Sequence, residues 1–288
     1  MNAAEQGNQT PLPDIFAPLS LEEFASSMMK QARVSDLRMH QALLRVDRKI
    51  FVPEQFQAYA YVDSTLPLIR DVGDHFATIS QPSLTVQMID LLNLQEDSNA
   101  LEIGTGSGFS SALMSQLCAN VVTIERIPEL VTKARERINA LQITNVSVIE
   151  ADGAKGFAQN GPYDRIISTV AMKKIPDEYV FQLKEGGSLL LPVGDLWYGQ
   201  YLVLGKKQAG RLETIQASSV QFVPIITDQE ELGWSFQESY ESLISLSQGD
   251  LDEDALKEYA QRLNMSPESF GKLLRTVTGF HDASESIR

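Results

Sequence analysis

The chain is poor in cysteine, in tryptophan and in basic charge. Of its 288 residues one is cysteine, Cys118, two are tryptophan and three are histidine. A lone thiol excludes an internal disulfide and points to a reducing compartment, so a cytoplasmic location is expected. Cys118 closes the apolar stretch Ala112 to Cys118 and reads as a buried, inert thiol. With so few Cys and His, no metal site is expected. Lys and Arg total 24 against 38 Asp and Glu, a net charge of −14. That balance argues against nucleic acid as a partner, because binding a polyanion needs clustered cations to displace its counterions. No apolar run is long enough to span a bilayer, so no membrane association is expected. The first residues also lack the basic and apolar regions of a signal peptide. What remains, 43% hydrophobic and 22% charged residues, is ordinary for a globular protein. The length suits one large domain with an extension.

Residues 1–19 contain three prolines with Asn, Gln and Gly and show no periodicity, which predicts a flexible leader. From Leu21 to Ala32, apolar residues at Phe24, Met28 and Met29 follow helical spacing, and Ser35 is a candidate cap for a second helix through Val46. Short apolar runs then alternate with amphipathic helices. Asn99 to Ile103 precedes Phe109 to Leu117, and Val121 to Ile124 precedes Glu129 to Leu141; Val146 to Ile149, Arg165 to Ser168 and Ser188 to Pro192 follow. This alternation predicts an α/β fold, a mostly parallel sheet covered by helices on both faces. Tyr201 to Leu204 and Ser218 to Pro224 have no helix between them and are expected as antiparallel additions at one edge. From residue 228 to 288 there are 13 acidic and 5 basic side chains, so about a fifth of the chain carries over half of the net charge. Two short helices are expected there, Gln248 to Gln261 and Ser266 to Thr278. The expected organisation is a leader (1–19), a domain (20–227, its N-terminal helices and a substrate loop in 20–75) and an acidic helical extension (228–288).

The strand ending at Ile103 runs into Gly104-Thr105-Gly106-Ser107-Gly108. Small residues let a backbone turn sharply and approach a ligand closely. Glu102 precedes the first glycine by two positions. The glycine spacing departs from the G-x-G-x-x-G of dinucleotide sites and resembles motif I of the Rossmann-like, class I methyltransferases, which implies S-adenosylmethionine. Glu125, about twenty residues on and followed by Arg126, falls where an acid accepts hydrogen bonds from ribose hydroxyls; an exposed ion pair with Arg126 is its plainer alternative. Asp152-Gly153 follows the third strand, where such enzymes place a carboxylate near the adenine amine. An ordinary Asp-Gly turn is the alternative there. The candidate cofactor residues are thus Glu102, Gly104, Thr105, Gly106, Gly108, Glu125, Arg126, Asp152 and Gly153.

Further segments narrow the substrate. Val46 to Pro53, Ala60-Tyr61-Val62-Asp63, Leu66-Pro67 and Thr78-Ile79-Ser80-Gln81-Pro82 occur in order ahead of the glycine loop. Ile124 to Leu130, Pro162-Tyr163-Asp164, Gln182 to Gly187 and Leu191 to Gly194 follow it. Together, from about residue 30 to 227, these resemble the protein-L-isoaspartate O-methyltransferases. The resemblance implies methyl esterification of the free carboxylate of an L-isoaspartyl residue, or of a D-aspartate side chain, in protein or peptide substrates, with closure to a succinimide and repair. It marks Ser80 as the functional serine, with Thr78 beside it, and places Val223 and Pro224 in a terminal strand along the substrate peptide. An aspartate carboxyl is ionised at neutral pH, so this chemistry needs no general base. It needs a water-poor pocket and donors that orient one oxygen, which hydroxyls can supply. The alternative for Ser80 is to cap the helix beginning near Pro82; for Val223 and Pro224 it is an ordinary edge strand ended by proline.

The sequence departs from the family in three places. Leu68 to Ala77, which includes His75, is longer and more charged than the usual loop. Trp197 and Tyr198 are bulky where small residues are usual. The acidic extension has no counterpart. Within it, Tyr259 to Phe270 resembles a helix-turn-helix, but without the basic stripe that DNA requires. A pair of helices that packs on the domain, self-associates or recruits a polypeptide fits the charge better. Two other functions are weighed against general repair: a specialised enzyme installing aspartimide or isoaspartate in one dedicated peptide, and a cofactor-binding scaffold without turnover.

Overall fold

The computed structural model describes residues 19–72, 75–195, 199–229 and 232–233; the expected leader up to residue 18, Trp197, Tyr198, the His75 side chain and both extension helices lie outside what is described. Helix α1 (Leu21–Ala32) begins where Ser20 and Glu23 form a reciprocal capping box and ends on Arg33 in the left-handed region. It buries Phe24, Ala25, Met28, Met29 and Ala32, the stripe read from the sequence. Helix α2 (Leu37–Arg45) is capped by Asp36, one residue after the expected Ser35, because the Asp36 carboxylate takes the Arg38 N–H at 2.9 Å.

Between these helices and the main sheet lies a feature the sequence reading treats as a loop. β1 (Leu66–Val72) and β2 (His75–Ile79) form an antiparallel hairpin in which Pro67 faces Thr78. Leu66, Leu68, Ala77 and Ile79 are buried. Their period-two spacing is the signal for strands, obscured by the charged residues near the tip. Helix α3 (Pro82–Leu92) follows directly.

The main sheet has seven strands: β3 (Asn99–Ile103), β4 (Asn120–Glu125), β5 (Val146–Glu150), β6 (Tyr163–Ser168), β7 (Leu183–Asp195), β8 (Gly199–Gln208) and β9 (Arg211–Val220), in spatial order 5-4-3-6-7-8-9. The first five are parallel and the last two antiparallel. Helices α4 (Phe109–Ser115) and α5 (Pro128–Ala140) make the crossovers from β3 to β4 and from β4 to β5. The expected edge addition is present as β8 and β9, but its second strand stops at Val220. Gln221 to Pro224 leaves the sheet, and its backbone pairs with Ala171 beyond the end of β6.

Side-chain alternation sorts the core into two layers. Ala100, Val121, Ile167 and Leu190 join the residues of α1 to α5 on one face. Leu101, Ile103, Val122, Ile124, Ile166 and Leu189 face the other way. There the cover is Tyr179 of α6 (Asp177–Gln182), short turns, and Ile225 and Leu232 of the segment after β9. Packing on the domain thus continues past Thr227 as far as Leu232 and Gly233, both buried. Cys118 is buried, and burial pushes its thiol up to about 12. Among the described residues no helix is long and apolar enough to cross a membrane, and no cluster of three or more His, Cys, Asp or Glu is placed to hold a metal.

Candidate active site

The sheet order reverses between β3 and β6, and a ligand crevice is expected beyond the C-terminal ends of strands at such a point. A cleft opens there. Its wall includes Gly104, Gly106, Glu125, Arg126, Gly153, Val223 and Pro224, all expected from the sequence, together with Ala77 of the hairpin and Thr169, Val170, Ile225 and Ile226.

The glycine loop folds back on β4. The N–H groups of Gly104 and Thr105 both donate to the Ile124 carbonyl, at 2.9 and 3.1 Å. Gly104 has φ +88°, and a Cβ there would stand 2.6 Å from Thr169 Oγ1, so both conformation and space require glycine. The Thr169 hydroxyl in turn donates to the Gly104 carbonyl at 2.5 Å. The hairpin roofs this loop: Leu68 Cδ1 and the Thr78 carbonyl are the nearest atoms to the Cβ position of Gly106, at 3.5 and 3.8 Å.

Glu125 is buried at the end of β4. Its carboxylate accepts from the Gly106 N–H at 2.9 Å and from the N–H groups of Arg126 and Ile127 at 2.9 and 3.0 Å. It is therefore fixed in place. The exposed ion pair weighed for it is not what forms: Arg126 sends its guanidinium to Asp228 at 2.5 Å and to Asp152 at 3.3 Å. The Nη1 atom facing Asp152 is in ion-pair range but makes no aligned hydrogen bond. Asp152 also accepts the Thr227 hydroxyl at 2.8 Å and the Ala154 N–H at 3.0 Å. The Asp-Gly turn and the carboxylate at the cleft edge are thus one structure, strapped by residues 227 and 228.

Three expected residues sit behind the cleft. Gly108, φ +89°, starts α4 and packs against Ala134 and Phe51. The Thr105 hydroxyl pairs with that of Thr123 at 2.7 Å. Glu102 is fully buried on the α4 side of β3, where Ser111 and Thr123 donate to its Oε2; its Oε1 has no partner. Burial pushes the Glu102 carboxyl above its ordinary 4.5, against the pull of those hydroxyls. Between the two values the native state keeps a proton that the unfolded chain has lost, so stability falls as pH rises through that window. Glu102→Gln removes this titration. In urea unfolding at a series of pH values the wild type is expected to lose stability relative to the variant above about pH 4.5. A difference independent of pH would show that the carboxyl titrates alike in the folded and unfolded chain.

Thr78 and Ser80 stand beside the cleft rather than in its wall, both half-buried, next to Ala77, the hairpin residue that lines it. Ser80 does not cap α3. The N-cap is Gln81, whose side chain makes no cap bond, and Asp63 supplies the cap from a distance by accepting the Ser83 N–H at 2.9 Å. The Ser80 hydroxyl bonds to no described residue. Thr169, Val170 and Thr227 were missed from the sequence. The position of the first two at the end of the strand beside β3 is the signal that would have found them.

This donor set suits a nucleoside carrying positive charge. Two carboxylates end adjacent strands, and among the described residues no lysine or arginine lies in the cleft wall except Arg126, which is already paired. A diphosphate would meet those acids; ribose hydroxyls and a sulfonium or ammonium group would be welcomed by them. Fold and site together define a Rossmann-like class I S-adenosylmethionine-dependent methyltransferase.

Comparison with known proteins narrows the class. The family model of protein-L-isoaspartate(D-aspartate) O-methyltransferases matches residues 21–231, and the chain belongs to that family. Among its relatives are the protein-L-isoaspartate O-methyltransferase of Methanoculleus marisnigri, 37% identical over 74% of this chain and 93% of its own, and that of Pyrococcus abyssi, 38% identical over 71% and 92%. A solved protein-L-isoaspartate O-methyltransferase superposes with a TM-score of 0.67 at 28% identity, covering 80% of this chain and 69% of its own. A Plasmodium falciparum structure holding S-adenosyl-L-homocysteine shares the fold, with a TM-score of 0.61 at 22% identity over 73% of this chain and all of its own.

Proposed function

We propose that this enzyme methylates the free carboxylate of L-isoaspartyl residues in proteins, with Ser80 and Thr78 orienting the carboxylate and the segment at Val223 and Pro224 supporting the substrate backbone. The observation that carries the reading is a serine hydroxyl that bonds to no described residue, beside a cleft whose glycine loop and Glu125 suit a cationic nucleoside. S-adenosylmethionine, when bound, supplies an electrophilic methyl group. Glu125 holds the ribose hydroxyls, and Glu102 acts from behind the cleft, bracing the glycine loop through the Thr123 and Thr105 hydroxyls. The hairpin excludes water, which strengthens the attraction of opposite charges that cancel as the methyl moves. No proton has to be removed from the acceptor, since the carboxylate is already ionised. The resulting ester is attacked by the following backbone nitrogen, methoxide leaves more readily than carboxylate oxygen, and the succinimide hydrolyses in part to normal aspartate.

Backbone contacts at Val223 and Pro224, where the Val223 carbonyl already accepts the Ala171 N–H and the Ile225 N–H donates to the Ala171 carbonyl, would accept many sequences around the damaged residue. That breadth favours repair over modification of one dedicated peptide. The acidic stretch after Gly233 is read as a separate extension that recruits substrate or self-associates, and the cytoplasm as the place of action. Labelled cofactor offered to matched isoaspartyl and aspartyl peptides tests the reading. Base-labile label on isoaspartyl peptides of varied sequence is expected. Label on normal aspartate in one sequence would replace repair with the specialised function, and cofactor binding without label would leave a scaffold.

A further inference from the structure

Arg48 is fully buried, yet no described carboxylate is hydrogen-bonded to it. Its Nη1 donates to the carbonyls of Ala60 and Val62 at 2.7 and 3.3 Å, and its Nη2 to those of Ser64 and Ser80, both at 3.1 Å. Its Nε has no partner. Burial pulls the guanidinium down to about 9, with the charge of Asp63 acting in the opposite direction. A cation held in a dry interior by neutral carbonyls is costly, and a costly group needs a reason to be there.

The reason lies in what the four carbonyls belong to. Three come from the loop 60–64 and the fourth from Ser80. Asp63, in that same loop, accepts the Gln81 side-chain amide at 3.0 Å and the Ser83 N–H and hydroxyl at 2.9 and 2.7 Å. One loop thus grips the chain at Ser80 through Arg48, and on the far side of Ser80 through Asp63. Between the two grips the Ser80 hydroxyl bonds to no described residue.

We propose that Arg48 and Asp63 are positioning residues for methyl transfer, a clasp that fixes the Ser80 hydroxyl where it orients the acceptor carboxylate. The proposal rests on the role given above to Ser80. In-line attack tolerates little error, and a misplacement of about 1 Å can cost about 100-fold in rate. A planar fork with five donors can span four carbonyls; a lysine, a point charge with three donors, cannot.

The test is a double-mutant cycle with Arg48→Lys and Ser80→Ala, assayed on an isoaspartyl peptide. Affinity for S-adenosylhomocysteine is measured by calorimetry, and amide hydrogen exchange is followed in residues 60–64, 78–83 and 101–108. Arg48→Lys is expected to lower kcat by about 10- to 100-fold and leave affinity for S-adenosylhomocysteine within about twofold. In the Ser80→Ala background the same change is expected to cost less than about threefold, since the hydroxyl it positions is gone. Exchange should rise in 60–64 and 78–83 and not in 101–108. Losses that multiply, an equal loss of affinity for S-adenosylhomocysteine, or unaltered exchange in 78–83 would overturn the proposal. If Arg48→Lys does not fold, Asp63→Asn carries the same expectations, because it keeps an acceptor for the Ser83 N–H while losing the carboxylate that grips Gln81. Should the wild-type chain fail to methylate isoaspartyl peptides, the substrate reading falls, and the exchange comparison alone still decides whether the clasp holds Ser80.

Discussion

Ser80→Ala is expected to lower kcat for an isoaspartyl peptide by about 100-fold, the scale of losing one fixed donor at a reacting oxygen. Affinity for S-adenosylhomocysteine should stay within about twofold, because the hydroxyl is not among the groups of the nucleoside cleft. Thermal stability should not move either. The serine caps nothing: the α3 N-terminus is held by Asp63, and the backbone carbonyl of Ser80 that Arg48 grips survives the substitution. Steady-state kinetics, calorimetry and a thermal melt on one preparation check all three. A parallel loss of turnover and cofactor affinity, or a lowered melting temperature, would return Ser80 to a structural role and leave the acceptor carboxylate without its orienting donor.

How much of this was legible in the sequence follows from how local each signal is. The alternation of apolar runs and helices located the parallel strands and their crossovers to within a few residues, because burial on both faces leaves near-continuous apolar runs such as Val121 to Ile124. The glycine loop, Glu125 and Gly153 were legible for a related reason: each sits at a strand end, where spacing in sequence maps onto spacing in the fold. Partners distant in sequence were not legible. Asp63 reaches twenty residues ahead to cap α3, and Arg48 reaches thirty-two to grip Ser80. Arg48 and Asp63 were both present in the family-like segments, but sequence spacing cannot tell a buried arginine from a solvated one. The hairpin β1–β2 was hidden by its own composition, since charge between Arg70 and His75 outweighed the alternation of the buried residues on either side. The departure of Gln221 to Pro224 from the sheet was also illegible. The run looks like the end of a strand, and only the pairing of Val223 and Ile225 with Ala171 draws it over the cleft.

The second large effect belongs to Glu125. Glu125→Ala is expected to weaken S-adenosylhomocysteine binding by about 1000-fold, more than any single loss of a neutral donor would, because the carboxylate serves two structures at once. On the protein side it ties the glycine loop to the start of α5 through the N–H groups of Gly106, Arg126 and Ile127. Alanine leaves those donors unpaired in a half-buried site, at about 1–3 kcal/mol for each that water cannot reach. On the ligand side, in the role proposed for it, it removes the acceptor for the ribose hydroxyls, and hydrogen bonds to a charged group contribute about 1.5–3 kcal/mol each. Glu125→Gln weakens both contributions at once. The amide keeps one oxygen for an N–H of the loop but presents a donor where Glu125 accepts on its second oxygen, so either Gly106 or the pair at Arg126 and Ile127 loses its acceptor. Calorimetry with S-adenosylhomocysteine and with adenosine should then show the same loss for both ligands, since the ribose is common to them and the amino-acid portion is not. A loss for S-adenosylhomocysteine with adenosine unaffected would place Glu125 against the amino-acid end instead, and the orientation of the nucleoside in the cleft would have to be reversed.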